Sequence, residues 1–360
     1  MENQAIINFF GDISLDGIYC EPQQHATLSE NMQYIDNFLK PSDYRIANWE
    51  SMIWGNDEVN KLKTPRLCTT KQAAISILPL KIDLALLANN HVFDNGLSGF
   101  KNTVEFFEEN NIKHVGASCS TRDIEPHLFN VNGISFAIFN FVGHETNPHL
   151  PEACPVYLNF FDYNNTEVIH NQIKKHISNV DHVIVALHWG EHELSRYPQE
   201  RQRKFARDLI DISQVSLVVG HHVHCLQGYE SFKNGFIAYS LGNFIFGPQL
   251  TLPGKIDSYR TSDTKKIGVL EITFSKTKIE KNKWHYFTQD RDGLILQIDK
   301  SRKIEKYHQK LCTALQKKSI DKVYKIEQKV KNIRNAVSKN NGIVATLLNF
   351  KFRHLKALLK

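Results

Sequence analysis

The sequence of 360 residues predicts an α/β fold, and three observations lead to that prediction. Five short apolar runs, rich in Ile, Val, Leu or Phe, have the length and composition of buried strands. Helical spacings of apolar residues occupy the stretches between them, and alternating strands and helices are typical of α/β proteins. Each run also ends in polar residues, at the end of a strand where ligands of α/β folds collect.

The predicted strands deliver five polar clusters, one from the end of each run. In chain order, AIINFFGD ends at Asp12, YRIANWE at Asn48 and Glu50, IDLALLANNHVFD at Asn89, Asn90, His91 and Asp94, HVIVALHWGEHE at His188 and Glu191, and VSLVVGHHVH at His221, His222 and His224. Because such ends meet at one edge of a sheet, these side chains are expected to share a site.

Two predicted helices lie between the strands. The stretch GLSGFKNTVEFFEENN carries Phe100, Val104 and Phe107 at helical spacing. The stretch QERQRKFARDLIDI carries Phe205, Leu209 and Ile212 on one face.

Composition and cysteine usage exclude several classes of protein. The hydrophobic fraction of 41% and the charged fraction of 23% are those of a soluble globular chain, and no apolar run reaches the length of a membrane span. The segment MENQAIINFFGD lacks the features of a secretory signal. Six scattered cysteines without a C-x-x-C pair suit reduced thiols better than disulfides or a thiolate zinc site. These observations predict a cytoplasmic protein.

Charge divides the chain into an acidic body and a basic extension. Residues 300–360 hold 17 Lys and Arg against 3 Asp and Glu, so the rest of the chain is net negative although the total is +6. We therefore predict a domain at residues 1–298 and a helical basic extension at residues 299–360. An acidic body suits a cation-binding enzyme, and a basic extension suits an anionic surface.

The extension contains two amphipathic patterns. The first is a short heptad-like seam, too short for an independent coiled coil, formed by Val323, Ile326, Val330, Ile333 and Val337. The second is an apolar face with flanking lysine and arginine residues, formed by Val344, Leu348, Phe352, Leu355 and Leu359. Two interpretations remain open for it: docking on the body, or a peripheral contact with the inner face of a membrane. The charge lacks a recognised nucleic-acid motif, so nucleic acid is not a predicted partner.

The polar clusters together supply six candidate metal ligands, which are Asp12, Glu50, Asn90, His188, His222 and His224. Oxygen and imidazole ligands without thiolate suit Mn, Fe or Zn, and six groups suffice for one or two divalent ions. Each residue alone has a simpler explanation: Asp12 as a helix cap, Asn90 as a turn residue, His188 as a core histidine. Five clusters at strand ends favour a shared metal site over five separate explanations.

Seven segments in order resemble the motifs of one family. They are GDISL, NWE, ANNHVFDNG, HVGAS, HWGEHE, GHHVHCLQ and YSLGNFIFG, and they span residues 7–246. They resemble the CapA family of capsule and poly-γ-glutamate biosynthesis, which is similar to the calcineurin-like metallophosphoesterases. The resemblance implies a four-layer α-β-β-α sandwich with a metal site between the sheet ends.

The resemblance also implies roles for individual residues. Asp12 and His224 would bind a first metal, Glu50 would bridge, and a second metal would bind Asn90, His188 and His222. His91 would be the catalytic histidine that protonates a leaving group or steadies the transition state, and Asp94 would orient it.

Substrate contacts are predicted at Asn89, Asn243 and Arg196. For Asn243 a structural turn is an equal alternative, and for Arg196 the simpler explanation is a surface residue, as most arginines are.

Two positions depart from the phosphoesterase pattern. Ser14 stands where the first phosphoesterase motif, Asp-x-His, has histidine, and Glu50 stands at the bridging position, where phosphoesterases have aspartate. With one imidazole fewer, the site could hold either one or two metal ions.

Two functions are compatible with this site. The first is a metal-dependent hydrolase acting on a phosphorylated or anionic substrate related to a surface polymer. The second is a non-hydrolytic metal-binding protein that supports a membrane-bound polymer synthase.

Overall fold

The computed structural model describes residues 3–339, apart from 57–58, 148, 178–179, 192–193, 214, 248–260, 291–292 and 318. Its strands are β1 (Ala5–Ser14), β2 (Tyr44–Trp49), β3 (Met52–Ile53), β4 (Cys68–Thr69), β5 (Leu84–Leu86), β6 (Lys113–Val115), β7 (Ala117–Ser118), β8 (His127–Val131), β9 (Ile134–Gly143), β10 (Tyr157–Leu158), β11 (Phe160–Phe161), β12 (His182–His188), β13 (Leu217–His221), β14 (Tyr229–Phe232), β15 (Gly235–Ala238), β16 (Asn243–Phe246), β17 (Lys266–Phe274), β18 (Ile279–Gln289) and β19 (Leu296–Ile298). Its helices are α1 (His25–Phe38), α2 (Lys71–Ile75), α3 (Gly96–Glu109), α4 (Glu167–Ile177), α5 (Glu200–Ser213), α6 (Lys303–Leu315) and α7 (Ile320–Lys339).

Two mixed sheets form the centre of the fold. The first has the strand order β19-β18-β17-β1-β2-β5-β6, and β16 adds a parallel partner to the far end of β1. The second has the order β11-β9-β12-β13-β15-β14, with β8 antiparallel to β9. In the first sheet, strands β1, β2, β5 and β6 are parallel, and antiparallel strands continue the sheet from β1 on the other side. In the second sheet, strands β11, β9, β12, β13 and β15 are parallel, and β14 and β8 add antiparallel partners. The predicted α/β class is confirmed in this form.

Two apolar layers hold the sheets and helices together. Alternation along β1 places Ile7 and Phe9 in the layer between the sheets, where they join Ile184 and Val219 of the second sheet. Phe10 points the other way, into a layer that also contains residues of α1 and α3. On the second sheet, the ring of Phe205 in α5 stacks on Phe161 with centroids 5.0 Å apart. Helices therefore pack against both sheets.

The two predicted helices are confirmed as α3 and α5. Phe100 and Phe107 of α3 are buried, as are Phe205 and Leu209 of α5. Ile212 shares their helical spacing, but its side chain is 51% exposed. The buried face of α5 turns through Ala206, Leu209 and Ile210 instead, so Ile212 lies at its margin.

The extension begins with a helix that belongs to the body. By compactness the chain divides into Met1–Leu315 and Gln316–Lys360, so α6 lies in the first unit. The predicted domain boundary at residue 298 stays a prediction. The heptad-like seam lies within α7, whereas the apolar face from Val344 to Leu359 lies outside the described residues. Among the helices that can be described, none is long and apolar enough to cross a membrane.

His308 is the buried polar residue of α6. Its Nε2 lies 2.7 Å from the carbonyl oxygen of Gln227, and its Nδ1 lies 3.1 Å from the hydroxyl of Tyr286. Trp284 packs edge-on against the ring at 4.5 Å. Burial lowers the pKa of His308 to about 4, although the hydrogen bond to Gln227 acts in the opposite direction. The imidazole is therefore neutral at pH 7.

This neutral histidine should make the folded chain less stable in mild acid. The unfolded chain takes up the proton near pH 6.5 but the folded chain only near pH 4, so the free energy of unfolding falls as the pH falls between these values, by about 3 kcal/mol in total. Urea unfolding from pH 7 to pH 4.5 should show a weaker decline in His308→Gln than in the wild type. In the exposed variant His149→Gln, the free energy of unfolding should fall with pH as steeply as in the wild type. An equally steep fall in all three proteins would show that His308 is not the group responsible.

Candidate metal centre

The backbone at the end of β1 brings three strands together around Asp12. Asp12 lies opposite Asn48 of β2 and opposite Asn243 of β16. Gly11 makes this approach possible, because a Cβ atom there would lie 2.0 Å from the carbonyl oxygen of Gly242. The Asp12 backbone N–H donates a hydrogen bond of 2.9 Å to the same carbonyl. Asp12 is therefore fixed by main-chain contacts on both sides.

Asp12, Glu50 and His224 form a first group of candidate ligands. One ligand atom from each lies within 4.8 Å of the others, and all three side chains are buried. His224 Nδ1 lies 3.3 Å from Asp12 Oδ2. The amide of Asn48 donates to Asp12 Oδ1 at 2.8 Å and to Glu50 Oε1 at 2.9 Å. Asn48 thus holds two buried carboxylates close together, an arrangement that a shared cation would stabilise.

Asn90, His188 and His222 form a second group beside the first. His188 Nε2 lies 2.9 Å from Asn90 Oδ1 and 3.1 Å from His222 Nδ1. The other ring nitrogen of His188 lies 3.9 Å from Glu50 Oε1. Glu50 therefore borders both groups, as the predicted bridging role requires. All six predicted ligands converge at the ends of β1, β2, β12 and β13 and of the loop after β5.

His221, which belongs to a predicted polar cluster but not to the six candidate ligands, is a further member of the site. Its Nδ1 lies 3.1 Å from Asp12 Oδ1, and among the described residues its buried Nε2 has no hydrogen-bond partner. Adjacent residues of a strand point to opposite faces, so His221 and His222 can both face the site only because the strand ends at His221. His222 has φ of 89° and His224 has φ of 57°, so the chain leaves the extended conformation at this turn. The three-histidine pattern was the available signal.

Electrostatics within the site suit a divalent cation. Burial raises the pKa of Asp12, but hydrogen bonds from His221 and His224 outweigh this effect and hold the pKa well below its usual range. Burial lowers the pKa of His188 well below its usual range, and His222 adds to the effect. An ionised carboxylate and a neutral imidazole are the forms that bind metal. Together with the unpartnered nitrogen of His221, this donor set fits Mn, Fe or Zn.

The predicted catalytic pair lies in the turn after Asn90. His91 Nδ1 lies 2.6 Å from Asp94 Oδ2, which also accepts the backbone N–H of Leu67 at 2.7 Å. Burial lowers the pKa of His91, Lys63 adds to this, and Asp94 opposes both. Burial raises the pKa of Asp94, but His91 and Lys63 outweigh it, so the pKa is lowered. Asp94 is therefore an ionised acceptor that fixes the ring of His91.

Comparison with known proteins now identifies the family. Residues 6–248 match the family described as "Bacterial capsule synthesis protein PGA_cap", which is well over half of the chain. The chain belongs to this family. The predicted resemblance, drawn over residues 7–246, is confirmed.

Two curated relatives resemble this PGA_cap chain. The "Capsule biosynthesis protein CapA" of Bacillus anthracis is 30% identical over 259 residues, which cover 68% of this chain and 61% of the relative. The "PGA biosynthesis protein CapA" of Bacillus subtilis is 29% identical over 248 residues, which cover 66% of this chain and 62% of the relative. The match thus spans less than two thirds of either relative.

Solved structures resemble the chain more distantly. A 5'-nucleotidase precursor from Thermus thermophilus aligns with a TM-score of 0.43 and 15% identity, covering 87% of this chain and 60% of the other. The NAD nucleotidase of Haemophilus influenzae aligns with a TM-score of 0.44 and 13% identity, covering 92% of this chain and 60% of the other. These scores lie below the level at which a shared fold can be concluded.

The three predicted substrate contacts of this PGA_cap chain occupy different surroundings. Asn89 stabilises the turn after β5 through two hydrogen bonds. Its amide donates to the Trp49 carbonyl at 2.8 Å, and its side-chain oxygen accepts the N–H of His91 at 3.0 Å. Asn243 Oδ1 lies 2.9 Å from His224 Nδ1, beside the first ligand group. Arg196 is 46% exposed and binds Asp263 through Nε at 2.7 Å. Their roles in substrate binding stay predictions.

Ser14 of the PGA_cap chain makes an internal contact. Its hydroxyl donates to Asp16 Oδ1 at 2.8 Å, and both residues are buried. Ser14 therefore serves to fix the loop after β1.

Proposed function

We propose that this chain is a metal-dependent phosphoesterase-like hydrolase that acts in the synthesis or modification of a capsule-like surface polymer, either a polysaccharide or poly-γ-glutamate. The observation that supports this most is the convergence of Asp12, Glu50 and His224 beside Asn90, His188 and His222. The names of the two curated relatives, both capsule or PGA biosynthesis proteins, support the biological context. The proposed substrate is a phosphorylated or anionic compound related to the polymer.

The metal would be held by the two ligand groups, with Glu50 between them. A bound divalent ion supplies a more acidic water and neutralises phosphate oxygens. Asp12 and Glu50 contribute negative charge that selects a cation, and the neutral ring of His188 offers a lone pair. Apart from the half-buried Asn90, the residues of both ligand groups are buried, and the exclusion of bulk water strengthens each electrostatic contact.

In this mechanism His91 would donate the proton to the departing oxygen. Its Nδ1–H donates to ionised Asp94, so Nε2 is the atom that can carry a second proton for a departing oxygen. The negative charge of Asp94 favours the doubly protonated ring, while burial and Lys63 oppose it. Asn89 holds the backbone N–H of His91, which keeps the turn in place.

Turnover of an aryl phosphate with added Mn²⁺ tests the proposal. Wild-type protein should hydrolyse it, and His222→Ala should lower kcat/KM roughly 100-fold or more, because the variant loses a ligand of the site. The exposed His149→Ala serves as the matched control and should retain activity. Turnover that is independent of Mn²⁺, or equal in His222→Ala and wild type, would contradict a metal-dependent hydrolase.

A second function follows from Ser14. Because its hydroxyl is bound to Asp16 and supplies no imidazole, the first ligand group could hold metal without supporting hydrolysis. The chain would then be a non-hydrolytic assembly protein for a membrane-bound polymer synthase. Tight Mn²⁺ binding without turnover of any phosphoester would favour this function. Contact of the basic extension with an anionic membrane stays a prediction, and co-sedimentation with phosphatidylserine vesicles would test it.

A further inference from the structure

The turn that carries two candidate ligands needs support from its surroundings. His222 and His224 both have left-handed backbone conformations, with φ of 89° and 57°. Residues with a Cβ rarely adopt such conformations and keep them only where neighbouring structure fixes the chain. On one side of the turn, the Leu194 N–H donates to the carbonyl of Val223 at 2.8 Å. On the other side, Leu226 pairs with Leu241, and α6 contacts the residues that follow.

His308 of α6 holds the residues that follow the turn. Its Nε2 lies 2.7 Å from the carbonyl oxygen of Gln227, three positions after His224. A carbonyl oxygen only accepts, so Nε2 carries the proton and donates. Its Nδ1 is then the acceptor for the hydroxyl of Tyr286 at 3.1 Å. His308 is completely buried, which makes the loss of either contact costly.

The two residues after Gln227 also contact α6. A Cβ atom on Gly228 would lie 2.7 Å from the Cδ1 of Leu315 and 3.0 Å from the backbone of Leu311. The backbone N–H of Tyr229 donates to the sulfur of Cys312 at 3.4 Å. Three consecutive residues of the chain are thus pressed against one helix. Because Gly228 lies against the backbone of Leu311, a side chain at position 228 could be accommodated only by a shift of the helix or of the chain.

We propose that α6 fixes the turn at residues 222–224 and that His308 is its positioning residue. The family match ends at residue 248, and α6 lies outside it. The proposal rests on the proposed function only in treating the turn as metal-binding. That α6 restrains the turn is argued from the contacts of Gln227, Gly228 and Tyr229 and does not depend on metal binding.

Hydrogen–deuterium exchange of the full chain tests the restraint. Amides of residues 219–228 should exchange about 10-fold faster in His308→Leu, which leaves the Gln227 carbonyl unpaired, and in Gly228→Ala, which displaces α6. His308→Gln keeps a donor and should restore much of the protection. Lys310→Ala, an exposed change on the same helix, should match the wild type.

Mn²⁺ titration of the same proteins provides the second measurement. His308→Leu and Gly228→Ala should bind Mn²⁺ about 10-fold more weakly although every ligand residue is present, with His308→Gln close to wild type. Unchanged exchange at residues 219–228, or acceleration spread evenly over β9 and β12 as well, would overturn the proposal. A wild-type chain that binds no Mn²⁺ would instead refute the proposed function, and exchange would still decide the role of α6. Should His308→Leu fail to fold, Gly228→Ala decides.

Discussion

Asp12→Asn should weaken Mn²⁺ binding by more than roughly 100-fold, since residues one step removed from a metal already contribute 10- to 100-fold. The substitution keeps the shape of the side chain but removes the charge that lies between His221 and His224. It also removes one of the two carboxylates that Asn48 holds together. Isothermal titration calorimetry of the metal-free chain with Mn²⁺ provides the measurement.

The control for this substitution is Asp123→Asn, which removes an exposed carboxylate from a loop. It should leave the affinity unchanged, because an exposed charge at a distance is largely screened by salt. Equal Mn²⁺ affinity in Asp12→Asn and Asp123→Asn would show that the buried cluster is not the metal site. The family membership would stand, but the hydrolase proposal would lose its main support.

His91→Gln should lower kcat for an aryl phosphate by roughly 100- to 10,000-fold, the usual contribution of a positioned proton donor. Glutamine can still donate a hydrogen bond toward Asp94 but cannot deliver a proton. Mn²⁺ affinity should stay near the wild-type value, because the described side-chain contact of His91 is with Asp94 rather than with a ligand group. Steady-state kinetics together with calorimetry separates the two effects.

Asp94→Asn is the companion variant for this prediction. It should reduce kcat less than His91→Gln, because the proton-carrying ring is present but no longer held by an ionised acceptor. A fall in Mn²⁺ affinity that matches the fall in kcat would assign His91 to metal binding rather than to proton transfer. Activity unaffected by His91→Gln would remove it from the mechanism.

Much of the fold and site could be predicted because the relevant signals are local. The apolar runs that end at Asp12 and His188 are continuous, so their strands were evident without tertiary information. Their polar ends converge because parallel strands share an edge. The short strands β3 and β4, with two residues each, carry no comparable pattern.

Other features depend on contacts that the sequence does not reveal. Asn48 links Asp12 to Glu50, yet it resembles any polar residue at a strand end. His221 joins the site because the backbone at His222 departs from strand geometry, and no side-chain pattern reports that departure. The packing of α6 on Gly228 joins segments far apart in sequence, so it emerges only from the folded chain.

The position of β1 has a consequence for synthesis on the ribosome. β1 is made long before its neighbours β16 and β17, which are complete only when residues 243–274 have been translated. Until then one edge of β1 is open to wrong pairing, and Asp12 lacks the Gly242 carbonyl that anchors it. Pairing across so many residues is slow, so the nascent chain should depend on chaperones that cover exposed strand edges.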